Sequence, residues 1–171
     1  MKKYEFTGET KQVELLFRTA TLHRIRAVVE FGLVKVGDLG GWIEKEENLS
    51  HEGKAWVCGD AKVCGDAKVC GDAEVCGDAK VWGNAKVFSA SHVLVIGAIG
   101  SRNDFTTFYR DKDGEITVKC GCFLGKIDKF LEKVTATHGN SKYALVYRAA
   151  VEVAKLQIDL SGEVPEQNNN D

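Results

Sequence analysis

Between residues 55 and 93 the apolar positions repeat with a period of six. Val57, Val63, Val69, Val75, Val81, Val87 and Val93 recur at every sixth position, and Ala55, Ala61, Ala67, Ala73, Ala79 and Ala85 stand two residues before the first six. A strict period predicts a repeat architecture in which each unit stacks on another. Within a unit, Ala-x-Val-x alternates apolar with polar or variable residues, the pattern of a short strand with one buried face. The Gly-Asp or Gly-Asn pair that follows supplies the positive φ angles of a tight turn. Each hexad therefore predicts one short strand and one corner, with Ala and Val inward. Lys62, Lys68, Glu74, Lys80 and Lys86 are expected to point outward, with Cys58, Cys64, Cys70 and Cys76.

These hexads resemble the left-handed parallel β-helix, or hexapeptide-repeat, family. The resemblance implies three-sided coils of about three hexads each, and it alone implies the hand, because parallel crossovers are ordinarily right-handed. The run from Val57 to Val93 then makes about two coils, with a third drawn from less regular flanks. Such a prism needs caps at its open ends and partner subunits on its faces. Residues eighteen apart stack one rung above another: Cys58 with Cys76, Cys64 with Trp82, Cys70 with Phe88, and Glu74 with His92. This geometry does not suit a four-Cys metal site. Free thiols in a reducing cytoplasm are expected, with a Cys58–Cys76 bond on air oxidation as the alternative.

The flanks complete a mainly β chain, read as a short left-handed parallel β-helix with an N-terminal β cap and a C-terminal hairpin plus two-helix α+β module. The cap spans 1–48, the hexads 49–96, the hairpin and helices 97–160, and a disordered tail 161–171. Residues 1–16 are too irregular to assign. Thr21–Phe31 reads as a strand with Ile25, Ala27, Val29 and Phe31 on one face. Trp42 and Trp56 are expected to cover the apolar mouth of the prism. Residues 96–104 read as a Gly-punctuated loop. Phe105–Arg110 and Ile116–Cys120 then form a hairpin around Asp113-Gly114. The first helix aligns Ile127, Phe130, Leu131 and Val134 and ends at His138-Gly139. The second starts at the N-cap Ser141 and is expected to bury Tyr143, Tyr147, Val151, Ala154 and Ile158.

A length of 171 residues gives room for one core with appendages. The net charge of -2 argues against a nucleic-acid polymer as partner. No apolar run is long enough to span a membrane and none opens the chain, so a cytoplasmic protein of a bacterial host is expected.

Candidate chemistry is sparse. Gly100-Ser101-Arg102-Asn103, with Thr106 and Thr107, combines close backbone approach, hydroxyl donors and a guanidinium fork, a vocabulary for anions that also suits a tight loop with Arg102 paired to Asp104 or Asp111. Arg24 and Arg26 share a strand face and call for a shared anion or for nearby carboxylates such as Glu30 or Glu44. His92 stacked on Glu74 has the form of a general base with its orienting carboxylate, or of a plain surface pair. Cys120, Cys122 and the distant His138 lack a fourth ligand, so no metal is expected, and His138-Gly139 reads as a helix C-cap.

The string G-D-L-G-G-W-I-E-K-E-E-N-L-S, the hexads, and the later H-V-L-V-I-G-A-I-G-S-R-N-D-F-T-T-F-Y-R together resemble a set of hexapeptide proteins from bacteriophages, prophages and gut Firmicutes. That resemblance implies a non-enzymatic phage or prophage binding protein, a homotrimer or other homo-oligomer without a cofactor. It would sequester a small anionic ligand, such as a nucleotide immune signal, in clefts between subunits in an anti-defence role. Arg102, Ser101, Asn103, Thr106, Thr107, Arg24 and Arg26 are then the ligand-binding candidates. The hexapeptide fold implies an alternative, an acyltransferase using acyl-coenzyme A with His92 as base and Glu74 as its partner. A structural or assembly role is the third.

Overall fold

The alternation of the hexads becomes a stack of two-residue strands, in a computed structural model that describes residues 1–163. The expected disordered tail from residue 164 onward lies outside the described residues. In chain order the strands are β1 (Tyr4–Glu14), β2 (Thr19–Ala27), β3 (Leu39–Ile43), β4 (Trp56–Val57), β5 (Lys62–Val63), β6 (Lys68–Val69), β7 (Glu74–Val75), β8 (Lys80–Val81), β9 (Lys86–Val87), β10 (Val93–Ile99), β11 (Asp104–Arg110), β12 (Ile116–Cys120) and β13 (Phe123–Lys126). Two helices close the chain, α1 (Ile127–His138) and α2 (Lys142–Gln157). The protein is thus mainly β with two C-terminal helices.

Successive hexad strands never pair with each other. Instead β4 pairs in parallel with β7, β5 with β8 and β6 with β9, each across eighteen residues. Strands β5, β6 and β7 consequently lie in three different sheets. The flanks extend the stack by one rung: Trp42 and Ile43 pair with Lys62 and Val63, and Leu49 bridges Val69. Both offsets are twenty residues. The two extra residues fall between Leu49 and Val57, which stand eight apart, while a 3-10 turn at Glu46–Asn48 makes the corner between Ile43 and Leu49. The buried Asn48 side chain holds that turn, accepting from the Glu44 and Lys45 amides and donating to the Gly65 and Ala67 carbonyls. Ile43, Leu49, Val57, Val63, Val69, Val75, Val81 and Val87 form a fully buried interior.

Each end of this stack leaves backbone groups and apolar side chains to be covered. At the N-terminal end Tyr4, Phe31 and Trp56 pack together over Val57 and Ala55. The Tyr4 hydroxyl meets the Leu49 carbonyl at 2.9 Å, and the buried Lys3 ammonium donates to the Ala55 carbonyl at 2.7 Å. Trp42, expected at this mouth, is instead on an outer face with Leu22, Cys64 and Trp82. At the other end β11 lies across β8 and β9 with both of its faces buried. Tyr109 enters the core from one face and donates to the Trp82 carbonyl at 2.7 Å. Phe108, on the other face, packs with α1 and α2.

The N-terminal hairpin and the helices depart from expectation in detail. Residues 1–16, left unassigned above, hold the long strand β1, which pairs with β2 and forms the outer edge of the sheet that continues through β3 into β5 and β8. Strand β2 ends at Ala27 rather than Phe31, and its pairing with β3 shifts register between Arg24 and Arg26, so Leu22 and Ile25 both become buried. The segment read as a loop over 96–104 holds the end of β10 and the turn into β11. In α2, Ala144 and Ala150 are buried while Tyr143 is 44% exposed. Among the described residues no helix is long and apolar enough to cross a membrane.

Candidate ligand-binding cavity

The slot that follows each inward Val is outward-facing, yet on one face it is covered. Cys64, expected to be exposed, is fully buried there beside Trp82, under Ala20 and Leu22 of β2. The β1–β2 turn, closed by a hydrogen bond from the Leu15 amide to the Arg18 carbonyl, projects past this face. It is clasped in place by Arg18, whose guanidinium meets both Glu44 oxygens at 2.5 and 2.9 Å. Glu44 Oε2 also accepts from the Gly65 amide at 2.8 Å. The hydrogen bonds from Arg18 hold the Glu44 carboxyl below its usual range.

Between this turn and strands β12 and β13 lies a cavity of about 430 Å³, with Leu15, Phe17, Trp82, Lys119, Cys122 and Leu124 among its lining residues. Its wall is predominantly apolar, and its polar groups are few and specific. Lys119 is 4% exposed; its ammonium sits 4.2 Å from the centre of the Trp82 ring and donates to the Gly121 carbonyl. Burial, and then Lys80, lower the Lys119 pKa from the ordinary lysine value. Trp82 is 8% exposed, and its indole Nε1–H has no hydrogen-bond partner. Cys64 forms part of the wall, its thiol pushed up to about 12 by burial and by Glu44. It is a packing side chain rather than a nucleophile.

The residues singled out in the sequence fall into separate places. Ser101, Arg102 and Asn103 form the exposed β10–β11 turn, with Asn103 at φ 48°. Arg102 lies over Gly121, where an added Cβ would sit 3.3 Å from its Nε, and it is not among the residues that line the cavity. Thr106 and Thr107 are buried and already engaged. Thr107 Oγ1 accepts from the Lys80 amide at 3.0 Å, and Thr106 contacts Cys120 Sγ at 3.3 Å. Arg24 pairs with Glu9 and lies over the Trp42 ring, while Arg26 pairs with Glu5. These carboxylates on β1 replace the suggested Glu30 and Glu44. His92 is 2% exposed, T-shaped against Phe88, and its Nδ1 accepts from the Phe88 amide. Glu74, its expected partner, lies instead against Cys58 and Cys76 at 3.9 and 3.4 Å.

The cysteines and carboxylates sort likewise. Cys58 and Cys76 are joined as a disulfide with Cα atoms 4.6 Å apart, the pairing given above as the alternative to the free thiols expected there. The stacking of residues eighteen apart places them side by side. Cys120 lies with Thr106, Cys122 at the cavity, and His138 against Tyr147. Asp111, Asp113 and Glu115 cluster, but Lys126 pairs with all three. Asp111 accepts from the Asp113 and Glu115 amides and from Thr117, so this cluster builds the β11–β12 turn. The cavity itself was missed by sequence reasoning. The unusual signal was Trp82 standing where four earlier hexads carry Cys.

No protein-family model matches the chain, and a search of curated proteins finds no relative.

Proposed function

We propose that the protein is a non-enzymatic binding protein whose cavity between the β1–β2 turn and β12–β13 takes a small ligand with a flat apolar body and an anionic group. The observation that carries this is the pairing of Lys119 with Trp82, a desolvated cation over an indole ring on a predominantly apolar wall whose other charged residues are Glu14 and Arg18. A volume of about 430 Å³ lies within the usual range for small-molecule sites. An ammonium in such surroundings attracts an anion more strongly than it would in water, and the apolar wall offers a contact surface for a planar ring. Arg18 also lines the cavity, its guanidinium paired with Glu44. A nucleotide has this chemistry, and the resemblance to phage proteins makes a host nucleotide signal the first ligand to try. The cavity is formed by one chain, so capture needs no cleft between subunits, although a homotrimer is compatible with it.

We also infer that the hexads wind as a left-handed parallel β-helix. The eighteen-residue parallel pairings support a three-sided coil, and the hand follows the family resemblance.

The test is a thermal-shift and calorimetric screen of the purified protein against cyclic and linear nucleotides. A nucleotide at a hundred times its dissociation constant should add about 2.7 kcal/mol of stability. It should be recovered unchanged. Lys119→Met should weaken binding by about ten- to a hundredfold, the loss of one charge-assisted hydrogen bond. Binding that ignores Lys119→Met, or a ligand recovered chemically altered, would overturn the proposal.

A further inference from the structure

Between Val63 and Val87 the outward slot before each Val carries Lys at 62, 68, 80 and 86 and Glu only at 74, while Trp56 and His92 hold it at the two ends of the run. This one acidic residue coincides with the single stacked cysteine pair among the hexads: Cys58 and Cys76 occupy the same slot one rung apart, with Glu74 Oε1 3.9 and 3.4 Å from their sulfurs. The three donor atoms lie within 4.8 Å of one another on a partly exposed face. In tetrahedral coordination a thiolate at about 2.3 Å and a carboxylate oxygen at about 2.0 Å from the ion stand about 3.5 Å apart. The two oxygen–sulfur distances bracket that edge in the disulfide-bonded form, and on reduction the sulfurs must separate to about 3.8 Å, the sulfur–sulfur edge of the same tetrahedron.

We propose that the reduced protein holds a thiophilic divalent cation of the zinc class at Cys58, Cys76 and Glu74, with the fourth position open to water. The choice of glutamate argues for a metal rather than for a reactive dithiol. An anionic neighbour disfavours the thiolate that nucleophilic exchange requires, whereas a lysine, present in the other four hexads, would favour it. A cation reverses that balance and makes the carboxylate a third donor. The parallel register holds both cysteine backbones in place before any ion arrives, so little chain ordering opposes binding. Starting from the disulfide, an external dithiol passes two electrons to the S–S bond, is itself oxidised to a cyclic disulfide, and leaves two thiols. Binding of the ion then releases their two protons.

The experiment titrates Cd2+, a spectroscopic stand-in for Zn2+, into full-length protein kept reduced by a phosphine, reading the thiolate-to-metal absorption, with Zn2+ as competitor. The expected result is one equivalent per chain, lost in Cys58→Ser, weakened about tenfold or more in Glu74→Gln and unchanged in Cys122→Ser. Far-UV circular dichroism checks that each variant is folded. A silent titration, or absorption that survives Cys58→Ser and disappears in Cys122→Ser, would overturn the proposal.

Discussion

Truncating Val63 tests whether the alternation of the hexads is what holds the chain together. Val63 is fully buried on the middle rung, paired with Ile43 on one side and Val81 on the other. Val63→Ala removes two methyl groups, about 1.6 kcal/mol of transfer free energy at about 0.8 kcal/mol each. Rungs held by backbone hydrogen bonds above and below cannot collapse inward, so a void of about 40 Å³ remains and costs about 1 kcal/mol more at roughly 24 cal/mol per Å³. The sum of about 2.5 kcal/mol should lower Tm by about 5–10 °C in a chain of this size. Lys62, the adjacent outward residue, is the control, and Lys62→Ala should change stability by about 0.5 kcal/mol at most. Urea titrations under identical redox conditions give both values from the shift in midpoint. A loss below about 1 kcal/mol for Val63→Ala, or equal losses at the two sites, would refute the reasoning.

Two further outcomes follow from backbone geometry and from a buried ammonium. Gly71 (φ 62°) and Gly77 (φ 67°) occupy equivalent corners, but an added Cβ would lie 2.7 Å from the Phe88 carbonyl oxygen at Gly71 and meets nothing within 4 Å at Gly77. Gly71→Ala should therefore cost at least about 1 kcal/mol more than Gly77→Ala, which carries only the positive-φ penalty of about 1–2 kcal/mol, and equal denaturation midpoints would contradict this. Burial lowers the Lys3 pKa to about 8 from 10.5. The folded state thus releases this proton before the unfolded state does, so its contribution to stability rises with pH between about 8 and 10.5 and is flat below that window. Cys64, held up to about 12, acts in the opposite direction as pH rises. The quantity to measure is therefore the wild-type minus Lys3→Met difference in unfolding free energy across that range, and a difference independent of pH would count against the assignment.

The parts legible in the sequence are those that local pattern determines. The hexads, the Asp113-Gly114 hairpin and the apolar face of α1 all follow from spacings shorter than about eight residues, the range over which periodicity carries information. Strand β1 was not readable because it is an edge strand with few buried positions and so lacks a strong alternating pattern. The burial of Cys64, the position of Trp42 and the cavity were hidden for a different reason. The first two depend on β2 and β3 folding over the hexads, and the cavity on residues 15–18 of the hairpin turn coming to lie beside residues 64, 82 and 119–124; no local pattern records such meetings. The exposure of Tyr143 reflects a helix face rotated toward Ala144 and Ala150, where small side chains let α2 approach its neighbours closely. His92 shows the limit of stacking arguments: the spacing placed it above Glu74, but the 3-10 turn at Ala90–His92 turned its ring onto Phe88.

The eighteen-residue pairing also governs how such a chain can change length over generations. Near-identical hexads are encoded by near-identical stretches of gene, and such stretches gain and lose copies by slippage. A slip of one hexad would shift every later strand onto a different pairing partner and carry Lys119 and Leu124 away from the face where the β1–β2 turn waits. A slip of three would lengthen or shorten the stack by a full rung while returning both ends to the same side. Lineages of this protein should therefore differ in size by steps of eighteen residues, with the distance between caps free to drift and their relative orientation preserved.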